Sequence, residues 1–193
     1  MLPAEIASTA QEQGMPAVGL TDHRLLSGAV AFVTACRQNG VQPIIGLEVD
    51  ISGGKLALLA CGLEGWANLC RISSKLMLRE EPETDCPYDL LQTHHKDLIA
   101  LAALHQDAGF QLISGELKNI FPEALYLSLN DPNLALKMAR QAKQASLPCV
   151  VNHPVYYRLP EQAALQRTLA AIRLNCRLDE LPVEALAPRD AYF

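Results

Sequence analysis

Short, uniformly apolar runs that alternate with stretches of helical periodicity constrain this chain more than any other feature. Ala17-Val18-Gly19-Leu20 and Leu98 to Ala103 have the length and continuous hydrophobicity of buried strands, and Pro43 to Val49, Ala124 to Ser128 and Pro148 to Val151 read as strands beside them. Lys55 to Ala60 reads as a further strand, returning from the tight turn Ile51-Ser52-Gly53-Gly54 as the second arm of a hairpin. Between these runs, Pro3 to Gln13, Ser27 to Gln38, Leu63 to Leu78, Tyr88 to His94, Asn133 to Gln144 and Glu161 to Leu174 place apolar residues at helical spacing, several closed by Gly or Asn. In the helix from Leu63, the stripe Trp66, Leu69, Ile72 and Leu76 is a core face. Six strands separated by helices predict an α/β chain of βα units, arranged as a parallel sheet or barrel. Only Leu181 to Phe193, with two prolines, lacks any period.

Charge and cysteine usage narrow the function classes. Sixteen Lys plus Arg against twenty-one Asp plus Glu give a net charge of −5, which argues against a wholly basic nucleic-acid binder and leaves room for local patches. From Pro132 to Arg177 the bases Lys137, Arg140, Lys143, Arg158, Arg167, Arg173 and Arg177 face the single acid Glu161. That stretch is either a phosphate-facing surface or ordinary helix solvation, and no interleaved aromatics mark it as a stacking platform. Glu80 to Asp89, acidic and proline-containing, reads as a solvated loop. No run is long enough to cross a membrane as a helix, and the first residues carry acids rather than the bases of a signal peptide. Six cysteines without a C-x-x-C pair read as free thiols in a reducing cytoplasm.

In βα sheets and barrels, ligands gather at the carboxyl ends of the strands. Sorting polar residues by that criterion selects Asp22 and His23 after the first strand, Glu48 closing the second, His105 after the strand at Leu98, and His153 after the strand at Cys149. Carboxylates and imidazoles there suit Zn, Mn or Fe, and paired ions could activate water against a phosphoryl group. Each residue also has a plainer reading. Asp22 could cap the next turn, and each lone histidine could be an ordinary loop or core residue; Glu48, set in an apolar run, needs a partner because a buried bare carboxylate is costly. His94 and His95 precede their strand and fall at the opposite end. Glycine spacing supports neither a dinucleotide fingerprint nor a P-loop, and no nucleophile elbow is present.

Gly14-Met15-Pro16-Ala17-Val18-Gly19-Leu20-Thr21-Asp22-His23, then Ser27-Gly28-Ala29 and Gln42-Pro43-Ile44-Ile45-Gly46-Leu47-Glu48-Val49, closely resemble the PHP (polymerase and histidinol phosphatase) domain. Leu58-Leu59-Ala60, Gly65-Trp66-Ala67-Asn68-Leu69, Leu98-Ile99-Ala100-Leu101, Ser114-Gly115-Glu116-Leu117 and Leu169-Ala170-Ala171-Ile172-Arg173 resemble the version at the amino end of bacterial DNA polymerase III alpha subunits, replicative or error-prone. The resemblance implies a distorted seven-stranded βα (TIM-like) barrel whose strand ends hold divalent metals (Zn, Mn or Mg) for phosphoester hydrolysis, in some members as a 3′ to 5′ exonuclease. The family opens with a strand carrying a His-x-His pair, which has no counterpart here, so the chain reads as a barrel lacking its first strand and truncated at its amino end.

Other family ligands are also replaced. The cysteine after the Ile-Ala-Leu strand falls on Leu104, with His105 beside it, and the late Asn-Asp-Val-His-Tyr segment becomes His153-Pro154-Val155-Tyr156-Tyr157. Of the implied metal ligands, Asp22, His23 and Glu48 survive at matching positions, with His153 next to a lost one. Three ligands are too few for a metal cluster. The expectation is therefore a PHP domain over residues 1–180, followed from 181 by the start of a linker toward a polymerase region, with a degenerate phosphoesterase site and a structural role in DNA replication or repair synthesis. Its partners would be the rest of an alpha subunit, DNA, and a proofreading or other replisome subunit. Two rivals stand beside it: an active metal-dependent phosphoesterase built on Asp22, His23, Glu48, His105 and His153 with Glu48 bridging metals, and a standalone module contacting DNA or a polymerase through the stretch that includes Lys137, Arg140, Lys143 and Arg158.

Overall fold

The computed structural model describes residues 1–79, 85–104, 113–131, 133–182, 185–188 and 190–193. The chain forms two compact units and passes between them four times: residues 1–18, 31–42 and 153–193 make the first, and residues 19–30 and 43–152 the second. In chain order the elements are α1 (Pro3–Glu12), β1 (Ala17–His23), α2 (Ala29–Gln38), β2 (Gln42–Ile51), β3 (Gly54–Ala60), α3 (Leu63–Met77), α4 (Tyr88–Thr93), β4 (Leu98–Leu104), a π-helical turn Ile113–Leu117 running into α5 (Lys118–Ile120), β5 (Leu125–Leu129), α6 (Ala135–Gln144), β6 (Cys149–Val151), a 3-10 turn Pro160–Gln162 and α7 (Ala163–Leu174).

All six expected strands are present, in one sheet of order β1-β2-β3-β4-β5-β6. The described residues contain six strands, not the family's seven. The sheet is mixed rather than parallel. β2 and β3 form the expected antiparallel hairpin, with Ile51 opposite Gly54 across the turn, and β3 is also antiparallel to β4, whereas β4–β5 and β5–β6 are parallel. The extra antiparallel pair arises because two helices, α3 and α4, lie between β3 and β4. The chain travels out along one and back along the other, so that Leu98 enters the sheet opposite Ala60, where β3 ended. β2, β4, β5 and β6 therefore run in one direction and end at one rim of the sheet, and β3 begins there.

The strict period of two decides which residues face that rim's interior. In β2, Leu47, Val49 and Ile51 are buried while Glu48 and Asp50 point to the other face and are only half-buried. The buried face continues through Leu56 and Leu58, through Leu98, Ala100, Ala102 and Leu104, and through Leu125 and Leu127. Against it pack Leu69, Ile72 and Leu76 of α3, Leu90 and Leu91 of α4, Ile120 of α5, and Met138 and Ala142 of α6. Each fully buried leucine or isoleucine there contributes about 1.5–3 kcal/mol by removal from water. Trp66, placed by its spacing in the same stripe, is only half-buried.

Gly46 lies where β1, β2 and β3 approach one another. A Cβ at this position would come within 2.7 Å of the Leu58 carbonyl oxygen, Leu59 Cδ2 and Thr21 Cγ2, so only glycine lets these strands close up.

In the first unit α1 buries Ile6, Ala7, Thr9 and Ala10, and α2 buries Phe32, Ala35 and Cys36. Its carboxyl-terminal part folds back on itself. Tyr157 donates from its hydroxyl to the Pro188 carbonyl at 2.6 Å and stacks on Tyr192, and the Tyr156 amide donates to the Ala191 carbonyl at 2.9 Å. Pro188, Ala191 and Tyr192 are thus held against Tyr156 and Tyr157.

Candidate functional site

Thr21, Asp22 and His23, expected in a loop, are the last three residues of β1, and the ladder with β2 continues past them: the Arg24 amide donates to the Glu48 carbonyl at 2.8 Å. Arg24 then takes a left-handed backbone conformation, φ 60°, which turns the chain out of the sheet. Its carbonyl accepts from the Ser73 hydroxyl of α3 at 2.7 Å, and its side chain, 7% exposed, runs to Asp50, where Nη2 lies 2.8 Å from Oδ2. His23 Nε2 meets the same Asp50 oxygen at 2.7 Å.

Asp50 is therefore gripped from two sides. The hydrogen bond from His23 is the main reason its carboxyl is held far below the ordinary carboxylate value; desolvation opposes this, and the charges of His23 and Arg24 with the Arg24 hydrogen bond add to it. Two residues earlier on the same face, Glu48 has a different partner. Lys55, directly opposite Asp50 in the hairpin register, carries its ammonium to Glu48, with Nζ 2.6 Å from Oε1. Both side chains are about one-third exposed or less, at 35% and 25%. Asp22 is exposed as a residue, yet partial desolvation of its carboxyl raises its pKa.

The structure thus links His23 and Glu48 to the second-unit rim through Asp50, Arg24 and Lys55, none of which the strand-end criterion selected. Each left a signal. Asp50 follows Glu48 at the period of two and shares its face. Arg24 follows Thr-Asp-His directly. Lys55 was missed because the criterion looks only at carboxyl ends, whereas an antiparallel β3 brings its amino end to the same rim.

The remaining candidates lie elsewhere. His153 belongs to the first unit, where its Nε2 is 3.1 Å from the Tyr192 carbonyl. His105 is outside the described residues, and the neighbouring Leu104 is part of the apolar core. Leu98 opens β4 at the rim opposite to Glu48 and Asp50; just before it, His95 packs edge-on against Phe121. Lys137, Arg140 and Lys143 are exposed on α6 at intervals of three, while Arg158, in the first unit, pairs with Glu12 at 2.9 Å.

The donor set does not fit a divalent metal cluster. Oε1 of Glu48 is in contact with an ammonium and Oδ2 of Asp50 with a guanidinium, so an incoming dication would meet two fixed positive charges at the oxygens it needs. Among the described residues, no three His, Cys, Asp or Glu side chains are grouped as metal ligands are.

The PHP domain family matches residues 1–148, more than half of the chain. This chain belongs to the PHP domain family. Among sequence relatives of this PHP domain, an error-prone DNA polymerase from Symbiobacterium thermophilum is 31% identical over 211 residues, covering 91% of this chain and 19% of that protein. The DNA polymerase III subunit alpha of Bacillus subtilis is 26% identical, covering 96% of this chain and 19% of its own length. The chain spans about a fifth of the length of these relatives. In fold, the PHP domain is similar to a crystal structure from Bifidobacterium adolescentis described as "a putative metal-dependent phosphoesterase", with a TM-score of 0.53, 10% identity and coverage of 79% and 81% of the two chains. An amidohydrolase from Chromobacterium violaceum gives a TM-score of 0.50 at 15% identity, covering 77% of this chain and 80% of its own. At these identities the likeness concerns fold alone. Among the described residues no helix of this PHP domain is long and apolar enough to cross a membrane.

Proposed function

We propose that this chain serves as the PHP domain of a DNA polymerase III alpha-like protein in DNA replication or repair synthesis, as a structural domain whose phosphoesterase site is degenerate. The observation that carries the reading is the Lys55–Glu48 ion pair at 2.6 Å: the one surviving carboxylate suited to bridging metals is already neutralised by the chain itself. The replacement of other family ligands by Leu104, Pro154 and Tyr156 supports the same conclusion, since none of these side chains is a good donor to a hard dication. The sequence relatives support the polymerase setting, in which the partners would be the remainder of an alpha subunit, DNA and a proofreading or other replisome subunit in the cytoplasm. In that setting Lys137, Arg140 and Lys143 of α6 would supply any contact to phosphates.

Metal content and hydrolysis of purified protein test the proposal together. The expected result is sub-stoichiometric Zn and Mn after gentle purification, and no cleavage of a phosphodiester dye substrate or of labelled single-stranded DNA with added Mn²⁺. One or more tightly held ions per chain accompanied by cleavage would overturn it in favour of an active phosphoesterase. Binding of the labelled DNA across a salt series tests the role of α6; affinity independent of salt would remove it.

A further inference from the structure

The rim of the second unit carries two carboxylates on one face of β2 and two permanent cations that reach them from different elements. Arg24, at the end of β1, takes Asp50, and Lys55, at the start of β3, takes Glu48. Lys55 stands opposite Asp50 in the ladder, yet its ammonium lies on Glu48, the diagonal neighbour, because Asp50 is already engaged by Arg24 and His23. Both contacts lie at the end of the strands where ligands of such sheets gather.

We propose that Lys55 is a resident counter-cation that stands in for metal at Glu48 and keeps divalent ions out of this rim. The inference rests on the structural reading of the site and adds a specific cause, one side chain, for its failure to hold metal. Three features carry it. The ammonium contacts the carboxylate oxygen directly rather than lying in a diffuse surface field. Glu48 is three-quarters covered, at 25% exposed, while Lys55, at 35%, is screened by solvent in part. And the carboxylate that a lost ammonium would expose is Glu48, an oxygen donor of the kind Mn²⁺ accepts, while Asp50 stays held by Arg24 and His23. With the ammonium in place, a dication near Glu48 meets like charge; with it removed, the carboxylate is left partly desolvated and seeks another cation.

Thermal unfolding of the whole chain with and without Mn²⁺ tests this, using Lys55→Met, Lys55→Arg, Glu48→Gln and the Lys55→Met/Glu48→Gln double variant. The midpoint of the wild type and of Lys55→Arg is expected to be unchanged by millimolar Mn²⁺. Lys55→Met is expected to unfold at lower temperature without metal and to be raised by Mn²⁺ with at least tenfold higher apparent affinity than the wild type; adding Glu48→Gln should abolish that gain. An identical response to Mn²⁺ in Lys55→Met and the wild type would overturn the inference. Should Lys55→Met be too unstable to titrate, the metal-free comparison still decides: the double variant should be no less stable than the worse single variant, and simple additivity of the two losses would refute the pairing. Tight Mn²⁺ binding by the wild type is a separate result, which would sink the structural reading itself.

Discussion

Replacing Asp50 with asparagine removes the charge that His23 and Arg24 share while leaving one oxygen of the same shape. Asp50 accepts two hydrogen bonds from potentially charged donors, at 2.7 and 2.8 Å. Such bonds are each worth about 1.5–3 kcal/mol net. Asparagine retains one neutral acceptor, and the Asp50 side chain is 31% exposed, so the lower end of the range applies. Arg24, however, is 7% exposed and loses its anionic partner, which adds a penalty for a buried charge less well paired. A destabilisation of about 2 kcal/mol results, or a urea midpoint lower by about 1 M at an m-value near 2 kcal/mol/M. The pH dependence identifies the cause. In the folded state the carboxyl is held below its ordinary value of 3.8, so its contribution is complete above that value and is lost as pH falls through it toward the lower folded pKa. At pH 3 the unfolded chain has begun to bind the proton while the folded chain has not, and the wild-type advantage over Asp50→Asn should be about 1 kcal/mol smaller than at pH 6. Urea unfolding of both proteins at the two pH values measures this directly. An advantage that is the same at pH 3 and pH 6, or absent at both, would refute the clamp at Asp50.

Gly46→Ala should destabilise the second unit by about 3 kcal/mol, because its Cβ meets one backbone oxygen and two side-chain carbons at 2.7 Å; a variant as stable as wild type in urea would mean that the three strands relax apart freely. Tyr157→Phe removes the hydroxyl bond to the Pro188 carbonyl and should cost about 1 kcal/mol, lowering the melting temperature by about 2–4 °C. Limited proteolysis should then release the tail beyond residue 187 faster than from wild type. Cys86, buried with its thiol pushed up to about 12 by that burial, should resist a thiol reagent at pH 8 until the protein unfolds, whereas exposed Cys61 reacts at once; mass spectrometry finding both labelled at one rate would contradict the packing of Cys86.

Much of this architecture could be read from local pattern. The six apolar runs became six strands, and the hairpin formed at Ile51–Gly54, because a turn signal and alternating burial act within a few residues of one another. Boundaries moved where pairing extended them: β2 runs on to Ile51 and so includes Asp50, and β1 runs through His23. The spacing on α3 predicts Trp66 in the core, yet it is half-buried, since periodicity fixes a helix face without fixing how deeply each residue on it is covered.

The site divides along the same line. Glu48 and His23 could be picked out as strand-end polar groups, and the resemblance alone pointed to Leu104, Pro154 and Tyr156 as positions where the family carries other residues. What no local pattern contained was the placing of β1 beside β2, which brings His23 and Arg24 to Asp50 across a long separation in the chain, whereas Lys55 reaches Glu48 through the local β2–β3 hairpin. Sequence settles which groups are present and on which face of a strand each lies; only the pairing of strands decides which opposite charges come to lie within 3 Å, because that distance is set by strand direction and register rather than by separation along the chain.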